Sequence, residues 1–413
     1  MKPTVDTSRS DRAQRGFGLV EIMVGLVIGL IAVLVIYQIY TAAEGFKRNT
    51  TAAGEAQMNG LFSTFVLGME VGNGGAAMAV AAPDLASCAD PGTYPATDPR
   101  HFGESFRPIP VILYDGGGAS SPDAFAVGYS MASTFSTTAM FNANAAAGDT
   151  TYQIQSTGGF HKGDLIVGIS NPGGANAPCA SSKVTVDPSA VAVPPTCDPA
   201  DPNKTGNCIA TVTITHTGTA IAYTGTGLVG SSTLFNMGPA DRAQKVAYRL
   251  CDGRAGCPQP PACAPTTPCS LESVPLLDSN GQLLAAPVGN PLASNIINMK
   301  VEYGVDSDLD QLGLLDTWVQ ATAPWDPASM LTGTLTKINQ VKAIRVGLIV
   351  QSEQFDKTLG DYTWVMFDCP AHDATCPGRL TGTIAAQVPS GNWRYRKYET
   401  IIPLRNEIWN KAS

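Results

Sequence analysis

Only 15% of the 413 residues are charged, the net charge is −8, and no two cysteines stand as C-x-x-C. The acidic balance excludes a globally basic nucleic-acid binder. The missing close cysteine pairs exclude a zinc ribbon. Histidine is scarce as well: His101, His161, His216 and His372 sit in no triad context. Gly128-Tyr129-Ser130-Met131-Ala132 lacks the last glycine of a G-x-S-x-G elbow, and Ser/Thr-rich sequence follows where a helix is needed. His216 shares a face with Val212 and Ile214 and reads as a core or edge histidine. The chain is therefore expected not to be an enzyme. No internal repeat stands out.

What is present is concentrated at the N-terminus. Lys2, Arg9, Arg12 and Arg15 make a short basic leader, followed by Gly16-Phe17-Gly18-Leu19-Val20-Glu21 and an apolar run to Tyr40. That run is long enough to cross a bilayer as a helix, and the basic leader marks the cytoplasmic side. Glu21 is a single carboxylate near its start. Such a charge costs roughly 2.5–3.5 kcal/mol at a helix centre and less near an end, so it marks a functional site whose partner must be named. If the chain is cut after Gly16, Phe17 carries a free ammonium beside lipid. A buried carboxylate and a buried ammonium are each expensive alone and tolerable as a pair. Two plainer readings compete. A signal peptide cut near Thr41-Ala42-Ala43 would have a shorter apolar stretch. A simple signal anchor explains the length but not Gly-Phe and Glu21 together.

The Gly-Phe-x-Leu-Val-Glu pattern with its helix resembles the class III leader of type IV pilins and pseudopilins. The resemblance implies cleavage after Gly16 by a prepilin peptidase, N-methylation of Phe17, and a contact from Glu21 to the N-terminal amine of a neighbouring subunit. Gly25 and Gly29 form a GxxxG pair that would admit a close helix. The major pilins' proline near the position of Gln38 is absent. Beyond Tyr40, Phe46, Met58, Leu61, Phe62, Phe65, Val66 and Met69 recur at helical spacing and predict an amphipathic continuation lying on a globular domain. Gly54, Gly60 and Gly68 weaken it, and Gly72-Asn73-Gly74-Gly75 ends it.

All ten cysteines follow the anchor: Cys88, Cys179, Cys197, Cys208, Cys251, Cys257, Cys263, Cys269, Cys369 and Cys376. Four of them recur every six residues in a Pro-rich stretch. Disulfides in an oxidising periplasm account for them better than metal does, and connectivity stays open. Cys369 and Cys376, around Pro370, could close a small loop. With 42 glycines and 30 prolines, β structure with long loops is expected. Val111 to Tyr114 and Asp123 to Ser130 read as strands. Residues 171–208 read as a decorated Pro/Cys/Asn-rich insertion. Ile209 to Thr217, Val246 to Cys251, Ile297 to Gly304 and Ile344 to Gln351 alternate, each predicting a half-buried strand with one wet face. The fold class is then α+β: a long N-terminal helix packed on an antiparallel β-sheet with large Cys/Pro-rich loop insertions. That is type IV pilin-like. The boundaries are 1–16 leader, 17–40 transmembrane helix, 41–70 soluble half of the helix, and 71–413 one β-rich domain.

Further segments resemble the minor pilins called PilW: Gly159 to Ile166, Met299 to Asp306 with its YGVD, Val341 to Val350 with AIRVGL, and Ile402 to Asn406 with LRN. This resemblance implies a minor pilin that helps initiate a type IV pilus and sits in its tip complex. Its partners would be other minor pilins, the major pilin, the prepilin peptidase, the inner-membrane assembly platform and a tip adhesin. Its location would be single-pass in the inner membrane with a periplasmic domain, then the pilus tip at the cell surface. A type II secretion J-type pseudopilin, a tip-borne adhesin or a DNA-binding module are the alternatives.

Two smaller patterns carry chemistry of their own. Asp306, Asp308 and Asp310, with Asp316 nearby, could hold calcium, but Gln311 and Thr317 break the EF-hand pattern and a solvated acidic turn is the plainer reading. No cofactor is required. Trp393-Arg394-Tyr395-Arg396-Lys397-Tyr398 interleaves rings with cations and could stack single-stranded nucleic acid. An edge strand protected by cations is favoured over it.

Overall fold

A computed structural model describes residues 18–76, 88–89, 109–130, 138–155, 159–170, 177–189, 211–219, 221–225, 231–254, 256–257, 259–281, 283–284, 287–307, 315–332, 335–368, 379–386 and 391–404. It divides into two compact units, residues 1–54 and 55–413. The first is the N-terminal portion of helix α1 (Leu19–Gly72), which runs 54 residues. No proline interrupts the run, so every backbone N–H beyond the first turn can donate within the helix. The Arg48–Glu44 pair at 3.1 Å supports its polar stretch at i,i+4 spacing. The helix stops where four residues with weak helix propensity follow one another, and Gly75 takes a positive φ of 77° that glycine adopts without penalty.

The second unit holds the end of α1 and the strands. It begins with β1 (Cys88–Ala89), β2 (Val111–Tyr114) and β3 (Ala124–Ser130). The chain then builds β4 (Thr138–Phe141), β5 (Thr151–Gln155), β6 (Asp164–Ile169), β7 (Ala177–Ser189), β8 (Thr211–His216) and β9 (Thr233–Pro239). It continues with β10 (Ala243–Cys251), β11 (Cys269–Pro275), β12 (Asn290–Val305), β13 (Thr317–Val319) and β14 (Val341–Asp356). The hairpin β15 (Tyr362–Met366) and β16 (Leu380–Ile384) precedes β17 (Asn392–Pro403).

These strands form two larger sheets. One reads β2-β3-β10-β11-β12-β14-β17 across the sheet, with β13 pairing to β12. Every neighbour on that path is antiparallel. It is a meander in chain order, broken by excursions. The largest lies between β3 and β10: the chain leaves at Ser130 and returns at Ala243, which is the residue directly opposite.

That excursion closes on itself. Strands β6-β9-β4-β5-β8 pair in sequence, and β8 and β6 both pair with β7, so six strands form an antiparallel barrel with β1 added parallel to β7. One face of each strand supplies the interior: Phe141, Tyr152, Ile154, Ile166, Val184, Ile214 and Leu234 are fully or almost fully buried together. Phe141 stacks on Tyr223 at 4.7 Å and meets Tyr152 edge-on at 5.0 Å. His216 is a core histidine against the Tyr152 ring, and burial lowers its pKa. The opposite faces of β6 and β9 bury Leu165, Val167, Phe235 and Met237 in a separate cluster with Cys179 and Ala243.

Three expectations need correction. Residues 171–208 are not only loop, because β7 occupies 13 of them. The strands β10, β12 and β14 have no wet face, since residues 246–251, 296–305 and 341–352 are buried throughout. One face holds Val246, Met299, Val301, Tyr303, Ile344, Val346 and Leu348 with Ala56, Leu67 and Val71 of α1. The other is covered by the β15–β16 hairpin, where Trp364, Met366 and Phe367 pack on Ile297, Ile349 and Tyr395. The third correction concerns the helix. Of the apolar residues expected to lie on the domain, Met58, Leu61, Phe62, Phe65 and Met69 are exposed. Another face makes the contact, with Ala56, Leu67 and Val71 in the core, and a Cβ on Gly60 would collide with the Tyr398 ring. Close approach of helix to sheet needs a side chain no larger than hydrogen there.

Candidate functional site

Glu21 sits in the first turn of α1, its N–H donating to the Gly18 carbonyl at 2.9 Å. Gly16 and Phe17 lie outside the described residues. From Leu19 to Tyr40 every large apolar side chain is exposed. The helix is long and apolar enough to cross a membrane. A helix that is apolar all round with nothing against it is suited to lipid or to other helices. Gly25 and Gly29 have open space where a Cβ would be, leaving room for such an approach.

In the second unit the exposed residues Met58, Leu61, Phe65 and Met69 are spaced three and four apart and share one outward stripe, with Phe62 beside it. The opposite face holds Ala56, Gly60, Ser63 and Leu67, all buried. Glu70 accepts a hydrogen bond from the Tyr129 hydroxyl and ties this end of the helix to β3. Asn59 Nδ2 donates to the Ser294 carbonyl at 3.2 Å. The C-terminal end of the helix is thus fixed by the face that carries Ala56, Gly60, Ser63 and Leu67, and its large apolar stripe is left open.

The sheet behind the helix is held on its far face by buried charge. Glu302, with no exposed surface, pairs with Arg345. The Arg345 guanidinium lies 4.8 Å from the Trp318 ring centre and 4.4 Å from that of Phe367. Lys300 pairs with Asp123 and donates to the carbonyls of Gly118 at 2.9 Å and Ser121 at 3.0 Å. Asp123 in turn accepts from the N–H groups of Gly116 and Val301. Burial pushes the Asp123 carboxyl up to about 6 despite the pull of Lys300. Arg249 faces Glu272 at 3.6 Å. Arg249, Lys300, Glu302 and Arg345 sit where the alternation predicted a solvated face. Paired and hydrogen-bonded charges can be buried where lone ones cannot.

Cys251 bonds to Cys257 and Cys263 to Cys269, each across a six-residue spacing with Cα atoms 5.3 Å apart. Cys179 is also disulfide-bonded, and no described cysteine is free. Cys251, Cys257 and Glu272 cluster within metal-binding distance, but both sulfurs are committed to the disulfide. The side chain of Cys88, and Cys197, Cys208, Cys369 and Cys376 altogether, lie outside the described residues.

Asp308 and Asp310 likewise fall outside them. Asp306 is buried, while the Asp316 carboxylate accepts from the Ser307 N–H at 3.0 Å and hydroxyl at 2.6 Å. Ser130 is buried and its hydroxyl donates to the Met237 carbonyl at 2.7 Å, so it serves the join between sheet and barrel.

In the tail segment β17 is the edge strand. Its rings face inward: Trp393 meets Phe355 at 4.8 Å, Tyr395 meets Tyr362 at 5.0 Å, and Tyr398 lies on α1 at Gly60. Arg394 pairs with Asp356 at 2.9 Å and Lys397 with Glu399 at 3.1 Å. The cations guard the edge and the rings are spent on packing.

Residues 11–37 match the family model of the prokaryotic N-terminal methylation motif. This defines the class: a chain with a prepilin-type N-terminus on an apolar anchor helix. Residues 276–406 match the family model of the type IV pilus-assembly protein W, PilW. Over these two stretches the chain is similar to the PilW family of the type IV pilus and to prepilin-type N-termini, which speaks for a structural role. The second match runs from the end of β11 through β17 and contains Lys300, Glu302 and Arg345; the barrel lies outside it. Neither curated proteins nor solved structures gave a match.

Proposed function

We propose that this chain is a minor pilin that helps initiate assembly of a type IV pilus and sits in its tip complex. The observation that carries the reading is the open apolar helix. Residues 19–40 bury nothing, and the stripe Met58, Leu61, Phe65 and Met69 faces outward from a helix already fixed to its own sheet. Such surface is stabilised by burial, at roughly 25 cal/mol per Å², and neighbouring pilin helices in a fibre would provide it. The type IV pilin-like packing of helix on sheet belongs to this reading.

In this account a prepilin peptidase cuts after Gly16 and Phe17 is methylated. Glu21 then pairs with the N-terminal amine of a neighbouring subunit, which sets axial register. The protein waits in the inner membrane with its β-rich domain in the periplasm, on the assembly platform, and moves to the pilus tip with other minor pilins. The match is to pilus assembly, which favours a pilus over a secretion pseudopilin. No catalysis and no cofactor enter the account. Calcium at Asp306, Asp308, Asp310 and Asp316 would stiffen the turn after β12, and a calorimetric titration decides it: heat with a raised Tm supports binding, and no heat removes it.

The assembly role is tested by Glu21→Ala and by Phe65→Glu in the native host. Both variants should accumulate at wild-type level in the membrane while surface pili fall sharply. Normal piliation in both would overturn the reading.

A further inference from the structure

Lys300 is 3% exposed and Asp123 4%, and Lys300 Nζ meets Asp123 Oδ1 directly. The same nitrogen donates to the carbonyls of Gly118 and Ser121. The three protons of the ammonium therefore have three acceptors, two carbonyls and one carboxylate oxygen. Asp123 is held as firmly. Gly116 N–H donates to its Oδ1 at 3.0 Å and Val301 N–H to its Oδ2 at 2.9 Å. Its own N–H donates to the Met299 carbonyl at 2.8 Å, beside Lys300 on β12. A second carboxylate, Asp115, lies 3.9 Å from Nζ and is 29% exposed, so it joins the pair to solvent. The other buried acid on this face, Glu302, is committed to Arg345.

Burial favours the neutral forms of an amine and a carboxyl over the charged ones. It raises the Asp123 carboxyl to about 6. When the proton between Nζ and Oδ1 passes to Asp123, Lys300 keeps two N–H bonds. The Gly118 and Ser121 carbonyls hold both, so the nitrogen lone pair faces the carboxyl. Reactants fixed in contact avoid the entropic cost of meeting in solution. We propose that Lys300 and Asp123 condense after folding into an isopeptide bond, a side-chain amide. Nζ attacks Cγ and the N–Cγ bond forms. The carbonyl electron pair moves onto Oδ2, where the Val301 N–H stabilises the negative charge. Asp115 takes a proton from Nζ through one water and returns it to Oδ1. The Cγ–Oδ1 bond then breaks and Oδ1 leaves as water. One amide and one water replace one amine and one acid, with no other reagent consumed. The bond ties β12 to the residue before β3 and closes a covalent loop around β4 to β9, the six strands of the barrel. The chemistry does not rest on the assembly role. The ion pair is the state before the bond forms, and only that state titrates at Asp123.

The test is peptide mass spectrometry of the full chain isolated in detergent from its native host, with disulfides reduced and alkylated before digestion. A peptide pair joined through Asp123 and Lys300, lighter than the sum of the two by one water, is expected. Lys300→Arg, which keeps a cation among the same acceptors, and Asp123→Ala should both give the separate peptides. Asp115→Asn should lower the linked fraction in freshly expressed protein. Wild-type protein that yields Asp123 and Lys300 only in separate, unmodified peptides would overturn the proposal, and that result requires no variant to fold. A joined pair that persists in Lys300→Arg would overturn it as well. An unchanged linked fraction in Asp115→Asn would overturn the proton route.

Discussion

The meander sheet and the inserted barrel solve the same problem in opposite ways. Both must bury strand faces that carry polar sequence. The barrel closes its ring, so it has no unpaired edges within the six strands and needs nothing outside to finish its interior. The sheet stays open and is covered twice, by the small face of α1 and by a hairpin that seals charge beneath it. Closure makes a self-sufficient module; double covering makes a platform that depends on its flanks. The family match falls on the platform, and the stripe proposed for assembly is mounted on it.

If the comparison is right, the largest effect comes from breaking the sealed charge. Arg345→Met leaves Glu302 buried without its cation and should cost about 3–5 kcal/mol, read as denaturant unfolding of the full chain in detergent. The double variant Arg345→Met/Glu302→Leu should recover most of that. Equal losses in single and double variants would mean the pair is not the cause. Next in size, Phe141→Ala should cost about 3 kcal/mol or more, but locally. Hydrogen exchange should rise in β4, β5 and β8 and stay slow in β12 and β14. Loss of protection across both sheets would refute the barrel's independence.

A smaller effect is set by pH. Without the Lys300–Asp123 amide, Asp123 titrates near 3.8 when unfolded and about 6 when folded. Between those values the folded chain binds more protons, so this group's contribution to stability falls as pH rises through that window. Glu302, also raised by burial, acts in the same direction. The difference between unlinked wild type and Asp123→Asn, followed as Tm from pH 4 to 7, isolates the slope due to Asp123; parallel curves would contradict it. The smallest effect should come from removing the barrel. Replacing residues 131–242 with Asn-Gly joins Ser130 to Ala243 by a hairpin turn across strands already opposite. The shortened chain should keep cooperative unfolding, with its Tm lowered by a few degrees at most. Aggregation on expression would show that the sheet needs the barrel.

Much of the sheet was legible because alternation is a local signal. The strands at 111–114, 124–130 and 243–251 fall where the pattern put them, and so does 211–216 in the barrel. The exposure of their second faces was not legible. Arg345, Lys300 and Arg249 look like wet positions in sequence, and only pairing with Glu302, Asp123 and Glu272 from other strands makes them interior. The barrel was missed for a similar reason. Its closure depends on β8 meeting β7, while β7 hides in a Pro- and Cys-rich stretch. The helix was misread in orientation alone: Phe62, Phe65 and Met69 suggested the buried face, but Ala56, Gly60, Ser63 and Leu67 take it. Glu21 stands out in the sequence because a lone carboxylate in an apolar run has few structural uses, and its pairing belongs to the proposed assembly role.

The most direct test of the account is the mass and N-terminal sequence of the mature protein isolated from its native host. The account predicts a chain beginning at methylated Phe17. A chain beginning at Met1 would contradict it, because no amine would lie at Phe17 for Glu21 to meet, and so would one beginning at Glu44, because Glu21 would be cut away.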